Sequence, residues 1–340
     1  MRGAQFTGLG VALATPFDTG ITTGEVGTAK PPGTAVAPAA ARRRRRPGVD
    51  LDGFARLVHH VIDGGADFLV VLGSTGEAAT VSDEERAQLI DLAVQLAGPS
   101  GTPVVVGVGH HDTQRTADLA QAAVAAGADG LLVVTPYYNK PQPSGLVAHY
   151  RAVADACPGT PIIAYNVPGR TGCNLSPATM QRIWGIPEVV ALKESSGDLR
   201  QMTQLCAQAP QGCHVLAGDD DLALPAIAVG ARGLISVCAN VAPTATAALV
   251  HAAMRGDLTV ARDHAAGLAS LMEAMFVETN PVPVKAALAC LGIGSGMVRA
   301  PLAPAEPDTW TRVHTALAEL GAVRVPIGSA VRVPAGSAAT

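Results

Sequence analysis

Short runs rich in Val, Ile and Leu alternate with stretches of helical period along most of the chain. The apolar runs predict strands over Val11–Ala14, Phe68–Leu72, Pro103–Gly107, Gly130–Val134, Pro161–Tyr165, Val189–Lys193, Cys213–Ala217 and Gly233–Val237. Between them, helical spacing appears at Ser82–Ala97, Thr113–Ala126, Gly145–Ala156 and Asp198–Ala209. Strands that are apolar throughout are buried on both faces, as in a parallel sheet covered by helices. The segments Gly65-Ala66-Asp67, Gly127-Ala128-Asp129 and Gly230-Ala231-Arg232 each precede a strand. Glycine there suits the left-handed residue that closes a helix. Eight such units of roughly 30 residues favour a closed barrel, whereas an open doubly wound sheet would carry a G-x-G-x-x-G turn after the first strand. The chain has no such turn.

The expected fold is therefore α/β: a (β/α)8 TIM barrel over residues 1–255, followed by a C-terminal helical segment over 256–323. Helices are expected there near Leu258–Phe276, Val282–Leu291 and Ala305–Leu320, with a disordered tail at 324–340. One stretch breaks the pattern. Residues 18–48 are rich in Gly, Thr, Ala and Pro, end in Arg42–Arg46, and interrupt the first βα connection, where 2–6 residues are usual. They read as a disordered insertion on the catalytic face, and deleting 20–46 is expected to leave catalysis intact. Five arginines without interleaved aromatics are weak ground for a nucleic-acid tether.

The remaining composition narrows the function. A net charge of −4 does not advertise nucleic acid or an anionic membrane as partner. The six cysteines (157, 173, 206, 213, 238 and 290) form no C-x-x-C pair, which suits free thiols in a reducing compartment. No leader is recognisable, and no run approaches the ~18 apolar residues of a membrane span. A soluble, cytoplasmic protein is expected. Lysine is scarce: Lys30, Lys140, Lys193 and Lys285 are the four, so each invites the question of why an ammonium was kept.

In such a barrel, reacting groups come from the C-terminal ends of strands and the loops after them. Lys193 closes the run Val189-Val190-Ala191-Leu192. A lysine at a strand end is most often a solvated cap, but one inside a barrel mouth would be desolvated and able to attack a ketone as the neutral amine. The other three lysines read as structural. Tyr165 ends the preceding strand, and carbinolamine chemistry needs a proton carrier at the same atom; a core tyrosine bonded to backbone is the alternative. Arg170, five residues on, offers a bidentate fork for a carboxylate, or is simply a surface charge. Gly73-Ser74-Thr75-Gly76-Glu77 reads as a carboxylate cradle, or as an ordinary turn before a helix capped by Ser82 and Glu85. Thr135-Pro136-Tyr137-Tyr138-Asn139 reads as packing or interface. Asp219-Asp220-Asp221 reads as capping of a helix N-terminus, and the His59-His60 and His110-His111 pairs lack metal-site spacing. No metal or cofactor is expected.

Together G-S-T-G-E, T-P-Y-Y-N, Y-N-V-P-G-R-T-G, A-L-K-E-S-S-G-D, A-G-D-D and G-L-I-S-V resemble the dihydrodipicolinate synthase and N-acetylneuraminate lyase superfamily of pyruvate-dependent aldolases, from about Gly8 to Pro304. The resemblance implies that Lys193 forms a Schiff base with pyruvate. It implies that Tyr165 is the general acid/base, relaying protons through Ser74 to Tyr138 of a neighbouring subunit. Thr75 would hold the pyruvate carboxylate, Ile235 would supply backbone near the ketoacid, and Gly218 would line the pocket. Arg170 would bind the carboxylate of aspartate semialdehyde, and a homotetramer, a dimer of dimers, is implied. Serine at 74 is shared with the sialic-acid lyases, whereas Arg170 points to the synthases; a pyruvate-releasing aldolase of a sugar acid and a catalytically silent ketoacid binder are the competing readings. Ala78, Asp83, Arg86 and Arg115 replace most of the polar set that binds feedback lysine in some synthases, so weak or no inhibition by lysine is expected.

Overall fold

The computed structural model describes residues 6–20 and 46–322. Arg42–Arg45, most of the expected insertion and the expected tail lie outside these residues. Eight parallel strands close into one barrel in chain order: β1 (Gly8–Ala12), β2 (Phe68–Val71), β3 (Val104–Gly107), β4 (Gly130–Val134), β5 (Ile162–Asn166), β6 (Val189–Glu194), β7 (His214–Ala217) and β8 (Gly233–Ser236). Around it run α1 (Leu51–Asp63), α2 (Asp83–Ala97), α3 (Thr113–Ala125), α4 (Pro143–Ala156), α5 (Pro168–Thr171), α6 (Pro177–Ile183), α7 (Leu199–Gln208), α8 (Ala223–Ala228) and α9 (Pro243–Met254). Beyond the barrel, α10 (Leu258–Ala274) packs on α9, and α12 (Pro307–Glu319) packs on both α10 and α11 (Val282–Cys290).

β1 lies three residues earlier than the apolar pattern predicts, because Gly8 and Gly10 hide its start. A Cβ on Gly10 would sit 2.4 Å from the Phe68 ring, so the small residue makes room for that ring. Gly65, Gly127 and Gly230 do take positive φ (93°, 92° and 117°) at the ends of their helices. α2 is capped as expected: the Ser82 side chain accepts from Glu85 N, and Glu85 returns a bond to Ser82 N.

The core has two compartments. Phe68, Val70, Val105, Leu132, Ile163, Leu216 and Ile235 fill the barrel lumen. The alternate residues Leu69, Val104, Leu131, Ile162, Val215 and Leu234 pack outward against the helices. This alternation is what period-two geometry imposes on a strand buried on both faces. β6 departs from it. Ile162 pairs with Val189 but Ile163 pairs with Ala191, so Val190 is an extra residue, and Val190 and Ala191 both join the lumen side. Downstream of this bulge the register sets Tyr165 opposite Lys193.

The interruption after β1 has a defined base. Phe17 and Val49 form an antiparallel bridge, Asp18 N donates to Gly48 O (2.9 Å), and Asp50 N donates to Pro16 O (2.9 Å). The chain therefore leaves and re-enters the barrel at adjacent points.

Candidate active site

The C-terminal ends of the strands gather a small cavity of about 60 Å³. Ser74 and Thr75 line it from the β2 loop, Tyr165 from β5, Arg170 from α5, Lys193 from β6 and Gly218 from the β7 loop. Six of the eight residues singled out by sequence thus meet at one place. Ile235 is fully buried in the lumen on β8 and does not line the cavity; Val237, two residues on, does. Tyr138 stands apart. It is 88% exposed, with φ of 69°.

Lys193 is 5% exposed, and its Nζ makes no hydrogen bond or ion pair with any described residue. Nζ lies 4.5 Å from the centre of the Tyr165 ring. Gly218 gives the lysine stem its space: a Cβ there would sit 2.8 Å from Lys193 Cε and 1.8 Å from Ser195 Oγ. Ser195 Oγ is itself buried without a partner.

The Gly73–Glu77 turn is held from behind. Leu72 and Glu77 bracket it in left-handed conformations (φ 60° and 50°), each costing on the order of 1–3 kcal/mol. Buried contacts offset this. Lys285 Nζ lies 2.5 Å from Glu77 Oε1, Arg299 N donates to Glu77 Oε2 (3.0 Å), and Thr15 Oγ1 donates to Gly76 O (2.7 Å). Asn280 Nδ2 donates to Thr75 Oγ1 (2.9 Å), while Asn280 O accepts from Arg170 (3.0 Å). The fourth scarce lysine, Lys285, is thus a brace for the turn. Asn280 ties Thr75 to Arg170, and sequence reading missed it because no spacing links it to either.

The acidic residues divide by partner. Glu194 accepts from Asn166 Nδ2 (2.9 Å), Ser196 N (3.0 Å) and Gln201 Nε2 (3.1 Å); burial raises its pKa against these bonds. Asp220 does not cap a helix, contrary to expectation. It is buried, and its carboxylate accepts from Ser236 Oγ and from Val237 N (2.9 Å), pinning the end of β8. Asp219 caps nothing either. Burial pushes its carboxyl up to about 6, with Lys193 acting in the opposite sense. Among the described residues no group of three or more His, Cys, Asp or Glu is arranged to hold a metal ion, all six cysteines are free, and no helix is long and apolar enough to cross a membrane.

A barrel whose mouth holds a buried, unpaired amine against a phenol is built as a lyase that captures a carbonyl compound on lysine. The chain belongs to the dihydrodipicolinate synthetase family, whose profile it matches over residues 36–320. It is 43% identical over 272 residues to 4-hydroxy-tetrahydrodipicolinate synthase of Synechococcus sp. (strain WH7803), covering 80% of this chain and 90% of that protein. The dihydrodipicolinate synthase structure from Thermotoga maritima superposes with a TM-score of 0.84 at 36% identity, over 94% of this chain and 100% of that one. The chloride-inhibited enzyme from Acinetobacter baumannii, complexed with pyruvate, gives 0.82 at 35% identity, over 93% and 99%.

Proposed function

We propose that this enzyme condenses pyruvate with L-aspartate 4-semialdehyde to give 4-hydroxy-tetrahydrodipicolinate, on the route to diaminopimelate and lysine. The observation that carries the reading is the amine of Lys193, buried, without a hydrogen-bond partner among the described residues, and in register with Tyr165. The Lys193 amine attacks C2 of pyruvate, and the resulting carbinolamine loses water to give an imine. Tyr165 is the proton carrier for this dehydration and for removal of a C3 proton, with Ser74 beside it in the same cavity. The enamine carbon then bonds to the aldehyde carbon. The substrate's own amine finally displaces Lys193 from C2, which closes the ring and frees the lysine.

The other side chains position the reactants. Thr75, fixed by Asn280, faces the pyruvate carboxylate, and Arg170 takes the carboxylate of the semialdehyde by a charge-assisted fork. Ile235 contributes backbone beneath the ketoacid, and Gly218 leaves the lysine stem its room. Tyr138, exposed on its own subunit, completes the proton relay of a neighbouring one, in a homotetramer built as a dimer of dimers. The reaction needs no cofactor or metal in this reading, and the setting is cytoplasmic, without nucleic-acid or membrane partners.

Borohydride reduction in the presence of pyruvate tests the central step. A stable mass gain mapping to Lys193, absent from Lys193→Ala, is expected, together with turnover only when aspartate semialdehyde is the aldehyde. Full turnover by Lys193→Ala would refute the reading.

A further inference from the structure

The cavity beside Lys193 is lined by two cationic side chains, Lys193 and Arg170, and by one carboxylate, Asp219. Its acidic neighbours are already spoken for. Glu194 is held by Asn166, Ser196 and Gln201, and Asp220 by Ser236 and the backbone of Val237 and Cys238. Among the described residues no hydrogen bond or ion pair occupies the Asp219 carboxylate, although it is partly withdrawn from water. A desolvated carboxylate without a donor is costly unless a cation arrives to meet it. Lys193 is not that cation when the aldehyde adds, because its nitrogen then belongs to a neutral enamine.

The second substrate of the proposed reaction carries both charges on one carbon, a carboxylate and an ammonium. Arg170 spends one N–H on Asn280 O and keeps the rest of its fork for an anion. We propose that Asp219 is a specificity-determining residue whose carboxylate receives the α-ammonium of aspartate semialdehyde while Arg170 receives the α-carboxylate. This assignment rests on the function proposed above and adds to it the group that distinguishes an amino aldehyde from a simple one. Two opposite charges, read from two sides, fix the aldehyde carbon towards the Lys193 enamine and leave a sugar acid, which has no ammonium, without a charged partner for Asp219.

The test uses enzyme preloaded with pyruvate and two aldehydes, aspartate semialdehyde and succinic semialdehyde, which differ in the amino group alone. Consumption of the pyruvate-loaded form is quenched with borohydride and followed by mass against aldehyde concentration. The wild-type enzyme is expected to half-saturate with the aminated aldehyde at a concentration lower by about tenfold or more. Asp219→Asn is expected to bring the two half-saturating concentrations together, while borohydride still traps pyruvate on Lys193 at the wild-type level. An unchanged preference in Asp219→Asn, with the pyruvate-loaded form consumed in both proteins, overturns this assignment alone. Failure of aspartate semialdehyde to deplete the borohydride-trappable pyruvate adduct of the wild type overturns the proposed function and this assignment with it. Asp219→Ser provides the same comparison should the amide variant fail to trap pyruvate.

Discussion

At the scale of single residues the site depends as much on what is missing as on what is present. Gly218 has no side chain because the Lys193 stem and Ser195 Oγ already fill the space. Gly218→Ala is therefore expected to displace the amine while leaving the fold intact. Since a misplacement of about 1 Å can cost ~10²-fold, kcat should fall by about that factor with little change in melting temperature; wild-type kcat would contradict the contact. Lys193 and Tyr165 were legible in the sequence because scarce residue types stood at the ends of predicted strands, and Arg170 and the Ser74–Thr75 turn because they lie in the motifs that carry the family resemblance. Asn280, Asp219 and the Glu77–Lys285 brace were not. Each acquires its meaning from partners that only the closed barrel delivers, such as the 208 positions separating Glu77 from Lys285. Asp219 and Asp220, neighbours in one acidic run, differ in role because one carboxylate finds backbone donors and the other does not.

At the scale of elements, the strands were readable from continuous apolar runs, which need no knowledge of tertiary partners. β1 was misplaced because its glycines answer to Phe68 on the next strand, and α6, with seven residues, is too short to show a helical period. The seam between α3 and α4 carries a pH dependence of its own. His149 on α4 is 2% exposed, its Nδ1 lies 2.9 Å from Thr113 Oγ1, and its Nε2 has no partner. Burial pushes this imidazole down to about 4. In the unfolded chain it titrates near 6.5. Between these values the unfolded state binds more protons, so stability falls as pH drops through the window and the loss is complete below about 4. Thermal melts of wild type and His149→Gln across pH 7 to 4 check this. The variant, which has nothing to protonate but keeps a partner for Thr113, should show the shallower decline.

At the scale of the whole molecule, two predictions concern parts of the chain that lie away from Lys193. Tyr138 projects into solvent on its own subunit, so in the assembly proposed here it serves its neighbour. Mixing unfolded Lys193→Ala and Tyr138→Phe subunits and refolding them together should restore about a quarter of wild-type activity, because about half of random pairs are mixed and each holds one complete site. Recovery no greater than the sum of the two variants would place Tyr138 outside the relay. The Phe17–Val49 bridge makes the second prediction. Replacing residues 21–45 with a short Gly-Ser linker should leave kcat unchanged and add about 1–2 kcal/mol of stability by shortening a closed loop. A large fall in kcat would show that the segment acts at the barrel mouth. The extra residue Val190 has the opposite implication. A strand is read in a frame of two, and the amine proposed to do the chemistry lies three positions downstream of that frameshift. Gaining or losing a single residue between Val189 and Lys193 would turn the nitrogen out of the lumen and into the helical shell. Length added at the join after β1 and length added within β6 thus have opposite expected consequences, the second falling on the strand that carries the proposed nucleophile.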